Sequence, residues 1–321
     1  MLRLWSEPGD GASNRCCTLE ATRDAQRVAW MLHIPFYLLD CESEFRKYVV
    51  DYFIREYAAG RTPNPCVACN RAIKFGFMLD ALDRFDADFL ATGHYARVRH
   101  EGGTFQLLRG RDARKDQSYV LYMLGQEQLR RVLLPVGEYT KPQVRALTAA
   151  RGLPVAEKEE SQDLCFVRDR DYRRFLQTYA PEIVRPGPIL DSAGRELGTH
   201  RGLPFYTIGQ RRGIEVPGPE PLYVLALDIA RNALIVGSAA QLGRSTFRVA
   251  DTRFICDQPP TESTEVTVKV RYTGREVPAT IDPLADGVVN VHLSAPIRDV
   301  TPGQAAVFYR GEAVMGGGII T

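Results

Sequence analysis

Two cysteines near the start of a predicted helix are the part of this sequence best suited to chemistry. The stretch GRTPNPCVACNRAIKFG covers residues 60–76 and places Cys66 and Cys69 three residues apart. Asn64 is a favourable N-cap and Pro65 suits the first helical position, so we predict that a helix begins here. The helix dipole and nearby cations favour the thiolate, the form of cysteine that attacks or binds metal. A structural zinc half-site or two inert thiols are the open alternatives.

A third cysteine, Cys165, follows the charged segment EKEESQDL at 157–164. A single cysteine next to apolar residues is often only a small hydrophobic group in a core. The polar neighbours Ser161, Gln162 and Asp163 make a functional loop an equally good interpretation.

Two polar blocks lie between these cysteines. Gly93 and His94 follow an apolar run at 88–92. Ligands of parallel α/β sheets bind beyond the carboxyl ends of strands, so a nucleotide or substrate is expected here, although a Gly-His pair also fits an ordinary turn. The block RKDQSY at 114–119 suits contact with a phosphate backbone, or a solvated helix start.

Helices and short apolar strands alternate through the first half of the chain. The helix that starts at Pro65 is expected to place Ile73, Phe77, Ala81 and Phe85 on one face. The same spacing rules predict further helices over 19–33, 42–59, 119–124, 140–152 and 169–179, and strands over 1–5, 34–39 and 88–92. This alternation is typical of a parallel α/β sheet.

The second half has a different composition. From residue 185 it is rich in Gly, Pro and Arg, which indicates a domain boundary. The segment GTHRGLPFYTIGQRRG at 198–213 mixes arginines with Phe205 and Tyr206, which suits RNA contact with base stacking, or an exposed Arg-rich loop. Eight strand-like segments then predict a small barrel or sandwich, over 222–228, 233–237, 247–255, 265–272, 277–281, 288–293, 305–309 and 313–320.

Composition limits the class of protein. The 321 residues are 45% hydrophobic, enough for two or three domains. Net charge is only +2, so a surface for nucleic acid requires local clustering of the 41 Lys and Arg. No apolar run reaches membrane-spanning length and no signal-peptide core is evident, so we predict a cytosolic protein without a membrane partner. In that compartment the seven cysteines are not expected to form a static disulfide framework.

The chain resembles the tRNA-specific 2-thiouridylase (MnmA) family. The similarity covers nearly the whole length and rests on GRTPNPCVACNRAIKFG, ATGHYARV, KDQSYVLYML, ESQDLCFV, HRGLPFYTIGQRRG, PLYVLALD and TPGQAAVFYRGEAVMGGGII. It implies an ATP-pyrophosphatase-like (adenine nucleotide alpha hydrolase-like) α/β domain with a parallel sheet over 1–168. A small central domain over 169–228 and a C-terminal β-barrel over 229–321 complete the implied fold.

The resemblance also implies an activity. Such an enzyme uses ATP and Mg²⁺ to adenylate the oxygen on C2 of the wobble uridine of tRNA, and then replaces that oxygen with sulfur from a persulfide donor or relay protein. Adenylation turns a poor leaving group into a good one. A persulfide is a soft sulfur nucleophile, and a second thiol can release its sulfur as a disulfide forms.

The matching positions imply a role for individual residues. Cys69 matches the family's nucleophile and Cys165 its persulfide cysteine, with a transient disulfide between them. Leu2 and Gly93 match nucleotide-contacting positions. The target base is met at Asn64, Pro65 and Cys66, and the tRNA-contacting positions are His94, Lys115, Asp116, Gln117, Arg271, Tyr272 and Gln304.

Two departures from the family pattern lead to further expectations. The family begins with a strand and a Ser-Gly-Gly-Val-Asp-Ser-Ser-type loop for the ATP phosphates, which this sequence lacks, so we expect these residues alone not to adenylate uridine. Some relatives carry Asp where Cys66 stands. Cys66, Cys69 and Cys165 are therefore candidate ligands of a [4Fe–4S] cluster with one open iron, although three thiolates also suit zinc.

Two rival functions remain on sequence grounds. One is a non-catalytic tRNA-binding remnant of the same family. The other is an adenylating enzyme of a related class, such as an amide-forming synthetase, which explains the α/β half but neither the paired thiols nor the Arg-rich segment.

Overall fold

The computed structural model describes residues 1–5, 7, 19–154, 164–218, 220–298 and 300–321. It divides into two compact units. The first consists of Met1–Tyr52 and Pro65–Tyr172, and the second of Phe53–Asn64 and Arg173–Thr321. Within the described ranges, no helix is both long enough and apolar enough to cross a membrane.

Most helices predicted in the first half are present. They are α1 Leu19–Met31, α2 Glu42–Phe45, α3 Asp51–Ala58, α4 Pro65–Cys69, α5 Met78–Asp80, α6 Gln126–Arg130 and α7 Lys141–Ala150. One π-helical segment, Arg46–Val50, joins α2 to α3, and another, Asn70–Phe77, joins α4 to α5. The predictions over 19–33, 42–59 and 140–152 are confirmed, whereas 119–124 contains only the short 3-10 helix Ser118–Leu121.

The predicted helix at the cysteines is confirmed from its first residue, Pro65. After α5 the chain tightens into a 3-10 turn, and Asp86 ends it in the left-handed conformation, with φ of 49°. Ile73 and Ala81 are buried as predicted, but Phe85 is 37% exposed. The apolar face is therefore buried over most of its length and open at its end.

The strands of the first unit are short. β1 Leu2–Arg3 pairs in parallel with β2 Leu39–Asp40, and β3 Leu90–Ala91 pairs in parallel with β6 Val132–Leu133. The predicted buried strand over 34–39 is wrong, because only Leu39 pairs and Ile34 is 55% exposed. An unpredicted hairpin of β4 Ala96–Glu101 and β5 Thr104–Arg109 turns through two glycines that both have positive φ, Gly102 and Gly103.

All but the first residue of α8 Tyr172–Tyr179 belong to the second unit, and this helix confirms the one predicted over 169–179. A four-stranded sheet follows in the order β8-β7-β10-β9, made of β7 Gly187–Leu190, β8 Glu196–His200, β9 Tyr223–Asp228 and β10 Ala233–Gly237. Its core includes Ile189, Phe205, Val224 and Leu234. The domain limits predicted from the sequence stay predictions.

Six strands close into a C-terminal β-barrel. They are β11 Arg244–Phe254, β12 Thr264–Lys269, β13 Val277–Pro283, β14 Val289–Ile297, β15 Ala305–Arg310 and β16 Ala313–Ile320. The order β11-β14-β13-β12-β15-β16 returns to β11 through the β11–β16 pair, so the prediction of a barrel is confirmed. The glycines of β16 permit this closure: a Cβ on Gly316 would lie 2.2 Å from the Arg253 carbonyl oxygen.

Candidate functional site

The thiols at the start of the cysteine helix have different surroundings. Cys66 is exposed on α4, whereas Cys69 is 7% exposed. Cys165 is half-buried, and all three are thiols rather than half-cystines. Residues 155–163, which hold the polar loop predicted before Cys165, lie outside the described residues. The pairing of Cys69 with Cys165 therefore stays a prediction.

The structure does not gather the three cysteines into a metal site. In the part of the chain that the structure describes, no three His, Cys, Asp or Glu side chains form a group that could hold a metal ion. The ligand arrangement thus does not fit the predicted iron–sulfur cluster or the zinc alternative.

Asn70, directly after Cys69, is a site feature that the sequence did not single out. Its Nδ2 donates to the Val120 carbonyl oxygen at 3.1 Å, which ties the cysteine helix to the chain after the KDQS block. Among the residues that the structure describes, its Oδ1 has no hydrogen-bond partner, although Asn70 is only 2% exposed. The sequence feature that could have pointed to Asn70 is an amide side chain among the apolar positions of the predicted helix. Such a side chain, if buried, needs hydrogen-bond partners.

The GHY and KDQS blocks lie together in the first unit. The Gln117 backbone N–H donates to the Tyr95 carbonyl oxygen at 2.8 Å. The Tyr95 N–H in turn donates to the Gln117 side-chain Oε1 at 2.9 Å. The Gln117 amide oxygen thus serves as a backbone-like acceptor and joins the loop to the residue before β4.

Asp116 shapes the same loop from inside. It is 9% exposed, and its carboxylate accepts hydrogen bonds from the Gly110 N–H at 3.0 Å, the Ser118 N–H at 3.1 Å and the Ser118 hydroxyl at 2.9 Å. The Arg109 guanidinium lies 3.8 Å from it. Asp116 is therefore committed to internal bonds, while its predicted neighbour Lys115 is half-buried.

His94 is buried and uncharged at neutral pH. It is 6% exposed, its Nδ1 lies 2.8 Å from the Thr92 hydroxyl, and its ring centroid is 5.4 Å from that of Phe75. Burial, reinforced by the positive charge of Lys74, lowers the pKa of His94 to about 3. At the predicted tRNA-contacting position, this side chain offers hydrogen bonding rather than positive charge.

The two predicted nucleotide-contacting residues lie beside different strand pairs of the first unit. Leu2 belongs to β1, and Gly93 comes two residues after β3. A Cβ added at Gly93 would have no heavy atom within 4 Å, so there is space for a ligand against its backbone.

In the second unit, three predicted tRNA contacts line one cavity of about 480 Å³. They are Arg271, Tyr272 and Gln304, and the cavity also includes Thr207 and Gln210 from the Arg-rich motif. One Arg271 Nη donates to the Thr301 hydroxyl at 2.8 Å. Tyr272 is 40% exposed, and the Lys269 ammonium lies 5.8 Å from its ring centroid.

The Arg-rich motif separates into an exposed and a buried part. Arg211 and Arg212 are exposed, as a nucleic-acid contact requires. Phe205 and Tyr206 are 5% and 4% exposed and belong to the core of the four-stranded sheet, so the predicted base stacking on these two rings is wrong. Arg173 covers Phe205 with its guanidinium 5.9 Å from the ring centroid.

Comparison with known proteins gives matches along the whole chain. Family models described as "tRNA methyl transferase HUP domain", "tRNA methyl transferase PRC-barrel domain" and "Aminomethyltransferase beta-barrel domain" match residues 1–169, 173–238 and 244–320. The "tRNA-specific 2-thiouridylase MnmA" of Chloroflexus aurantiacus is 53% identical over 321 residues, covering 99% of this chain and 89% of the relative. The protein of the same name from Moorella thermoacetica is 50% identical over 323 residues, covering 99% and 90%.

Proposed function

Because the chain belongs to the tRNA-specific 2-thiouridylase (MnmA) family, we propose that it replaces the oxygen on C2 of the wobble uridine of tRNA with sulfur. The observation that carries this proposal is the identity of 50–53% with relatives of that name, sustained across nearly the whole chain. The position of CxxC at the start of a helix and the exposed arginines of the second unit support it, because they supply a sulfur site and an RNA-facing charge.

ATP is the proposed activating co-substrate, with Mg²⁺ accompanying its phosphates. The HUP-domain match over 1–169 and the open space beside Gly93 support a nucleotide site in the first unit. Transfer of AMP to the uridine oxygen, with release of pyrophosphate, converts that oxygen into part of a good leaving group. Leu2 is the second proposed nucleotide contact.

Sulfur transfer is proposed to use two thiols. The outer sulfur of a Cys165 persulfide, loaded by a donor protein, attacks C2 and displaces AMP. The Cys69 thiolate then attacks the Cys165 sulfur, which forms the Cys69–Cys165 disulfide and leaves the transferred sulfur on uridine with the electron pair of the broken S–S bond. A thiol reductant restores both cysteines.

The target uridine is proposed to meet Asn64, Pro65 and Cys66, the residues at and before the start of α4. His94, Lys115 and the cavity residues Arg271 and Tyr272 are the proposed tRNA contacts. The side chains of Asp116, Gln117 and Gln304 form hydrogen bonds within the chain. These bonds favour a role in holding the tRNA-contacting loops in shape.

The test is nucleoside mass spectrometry after incubation of the protein with unmodified tRNA, ATP, Mg²⁺, a persulfide donor and a thiol reductant. When the phosphate-binding loop of the family pattern precedes these residues, we expect 2-thiouridine with the wild-type cysteines and none with Cys69→Ser. Cys256→Ser, which removes an exposed thiol of the second unit, should leave that yield undiminished. Bound but unmodified tRNA would instead favour the non-catalytic alternative, and a methylated product would favour the methyl transfer that the name of the HUP-domain family suggests.

Pyrophosphate release is measured in the same reaction, because it reports on adenylation alone. That these residues do not adenylate uridine by themselves stays a prediction, as does the cytosolic location. Turnover of ATP that depends on tRNA would overturn the first of these.

A further inference from the structure

The side-chain amide of Gln304 is held by the chain rather than directed to a ligand. Its Nε2 donates to the carbonyl oxygens of both Thr62 and Pro63, at 2.9 and 3.1 Å. An amide nitrogen carries two hydrogens, so these two bonds use both of its donors. Only the amide oxygen is left for other partners.

The whole turn that carries Gln304 is fitted to the same short segment. The Thr62 N–H donates to the Pro302 carbonyl oxygen at 2.9 Å. At Gly303, φ is +90° and an added Cβ would lie 2.9 Å from the backbone nitrogen and oxygen of Thr62, so a side chain has no room there. The turn itself is fixed to the barrel by two backbone hydrogen bonds of 2.9 Å. The Gly303 N–H donates to the Ile320 carbonyl oxygen, and the Ile320 N–H donates to the Gln304 carbonyl oxygen.

The anchored segment is partly enclosed. Pro63 is buried, so its carbonyl oxygen needs a hydrogen-bond donor, and the Gln304 amide supplies one. On the other side of the segment, the Thr62 hydroxyl lies 3.2 Å from that of Thr207. Asn64, the first of the proposed target-base residues, follows Pro63 directly in the sequence.

We propose that Gln304 is a positioning residue, which fixes the Thr62–Pro63 backbone and thereby the approach of the chain to Asn64 and the target base. The proposal rests on the proposed function in that it takes residues 64–66 as the site that meets uridine. It departs from the tRNA-contacting role that the family resemblance implies for Gln304, because both N–H donors of the side chain are already bonded to Thr62 and Pro63.

The test compares Gln304→Met, which keeps the length of the side chain and removes both donors, with the wild type. We expect the Thr62 amide to exchange with deuterium about tenfold faster, since two neutral hydrogen bonds are lost. Affinity for tRNA is expected to stay within about twofold, while kcat for thiolation falls about tenfold because a displaced target-base segment costs rate rather than binding. Gly303→Ala is expected to give the same pattern, and since it removes no side chain that could touch RNA, it separates positioning from contact.

Gln258→Met is the control, because it makes the same side-chain change at an exposed loop position of the same unit. It should leave all three measurements unchanged. A loss of tRNA affinity in Gln304→Met with unaltered exchange at Thr62 would overturn the proposal in favour of direct RNA contact, and unaltered exchange and kcat would overturn it altogether. Exchange and tRNA affinity do not require thiolation, so failure of the proposed function in the wild type would be seen separately.

Discussion

At the scale of single residues, His94 shows how burial decides what a site residue can offer. Its pKa in the folded protein is about 3, against the ordinary 6.5, so between these values the unfolded chain binds more protons than the folded one. The contribution of His94 to the free energy of unfolding is therefore fully present above pH 6.5 and is lost as the pH falls towards 3. Acidification from pH 7 to 5.5 should cost about 1 kcal/mol through this side chain.

Denaturant unfolding at these two pH values, compared between the wild type and His94→Gln, measures this contribution. Between pH 7 and pH 5.5, the free energy of unfolding should fall by about 1 kcal/mol less in His94→Gln than in the wild type. His33→Asn, which changes an exposed histidine of the same unit, should keep the pH dependence of the wild type. Burial also lowers the pKa of His200, so the difference between the variants is the test rather than the slope of either one. Equal slopes in the wild type and His94→Gln would contradict the assignment.

At the scale of elements, the loop between β5 and the 3-10 helix Ser118–Leu121 depends on one buried carboxylate. Asp116→Asn removes the charge facing Arg109 and places an amide among groups that donate to Asp116. We expect a loss of about 2 kcal/mol in the free energy of unfolding and faster deuterium exchange at Gly110. Glu138→Gln removes the same charge from an exposed ion pair with Arg111, which should cost less than about 0.5 kcal/mol. A similar loss in the free energy of unfolding for both variants would show that the loop does not depend on Asp116.

The strands of the C-terminal barrel could be predicted from the sequence. Successive side chains of a strand point to opposite faces, so a strand with one buried face shows alternating β-branched residues. The apolar run over 34–39 could not be assigned correctly from its pattern, because a strand also needs a partner strand. Its partner, β1, is only two residues long. In the candidate site, the motifs located the polar loops, but the inward direction of Asp116 and Gln304 depends on contacts with residues distant in sequence.

At the scale of the whole molecule, the small net charge means that tRNA affinity must come from local clusters of cations. A protein with a net charge of +2 has little long-range attraction for RNA, so individual exposed arginines should dominate the salt dependence. Arg211 and Arg212 are adjacent and exposed in the second unit. If both neutralise phosphates, removing them should reduce the slope of log Kd against log salt by about 0.7 to 0.9 for each contact.

Titration of fluorescent tRNA with the wild type and with Arg211→Ala/Arg212→Ala, at several salt concentrations, measures this slope. We expect a loss of about 1.4 to 1.8 in the slope and weaker binding at low salt, because fewer counterions are released when the RNA binds. Arg310→Ala removes an exposed arginine of the barrel and should leave the slope unchanged, as a contact at 211 and 212 is local and not an effect of total charge. An equal change in slope per arginine removed in the two variants would mean that binding follows net charge. The segment 198–213 would then be the exposed Arg-rich loop that its sequence also allows.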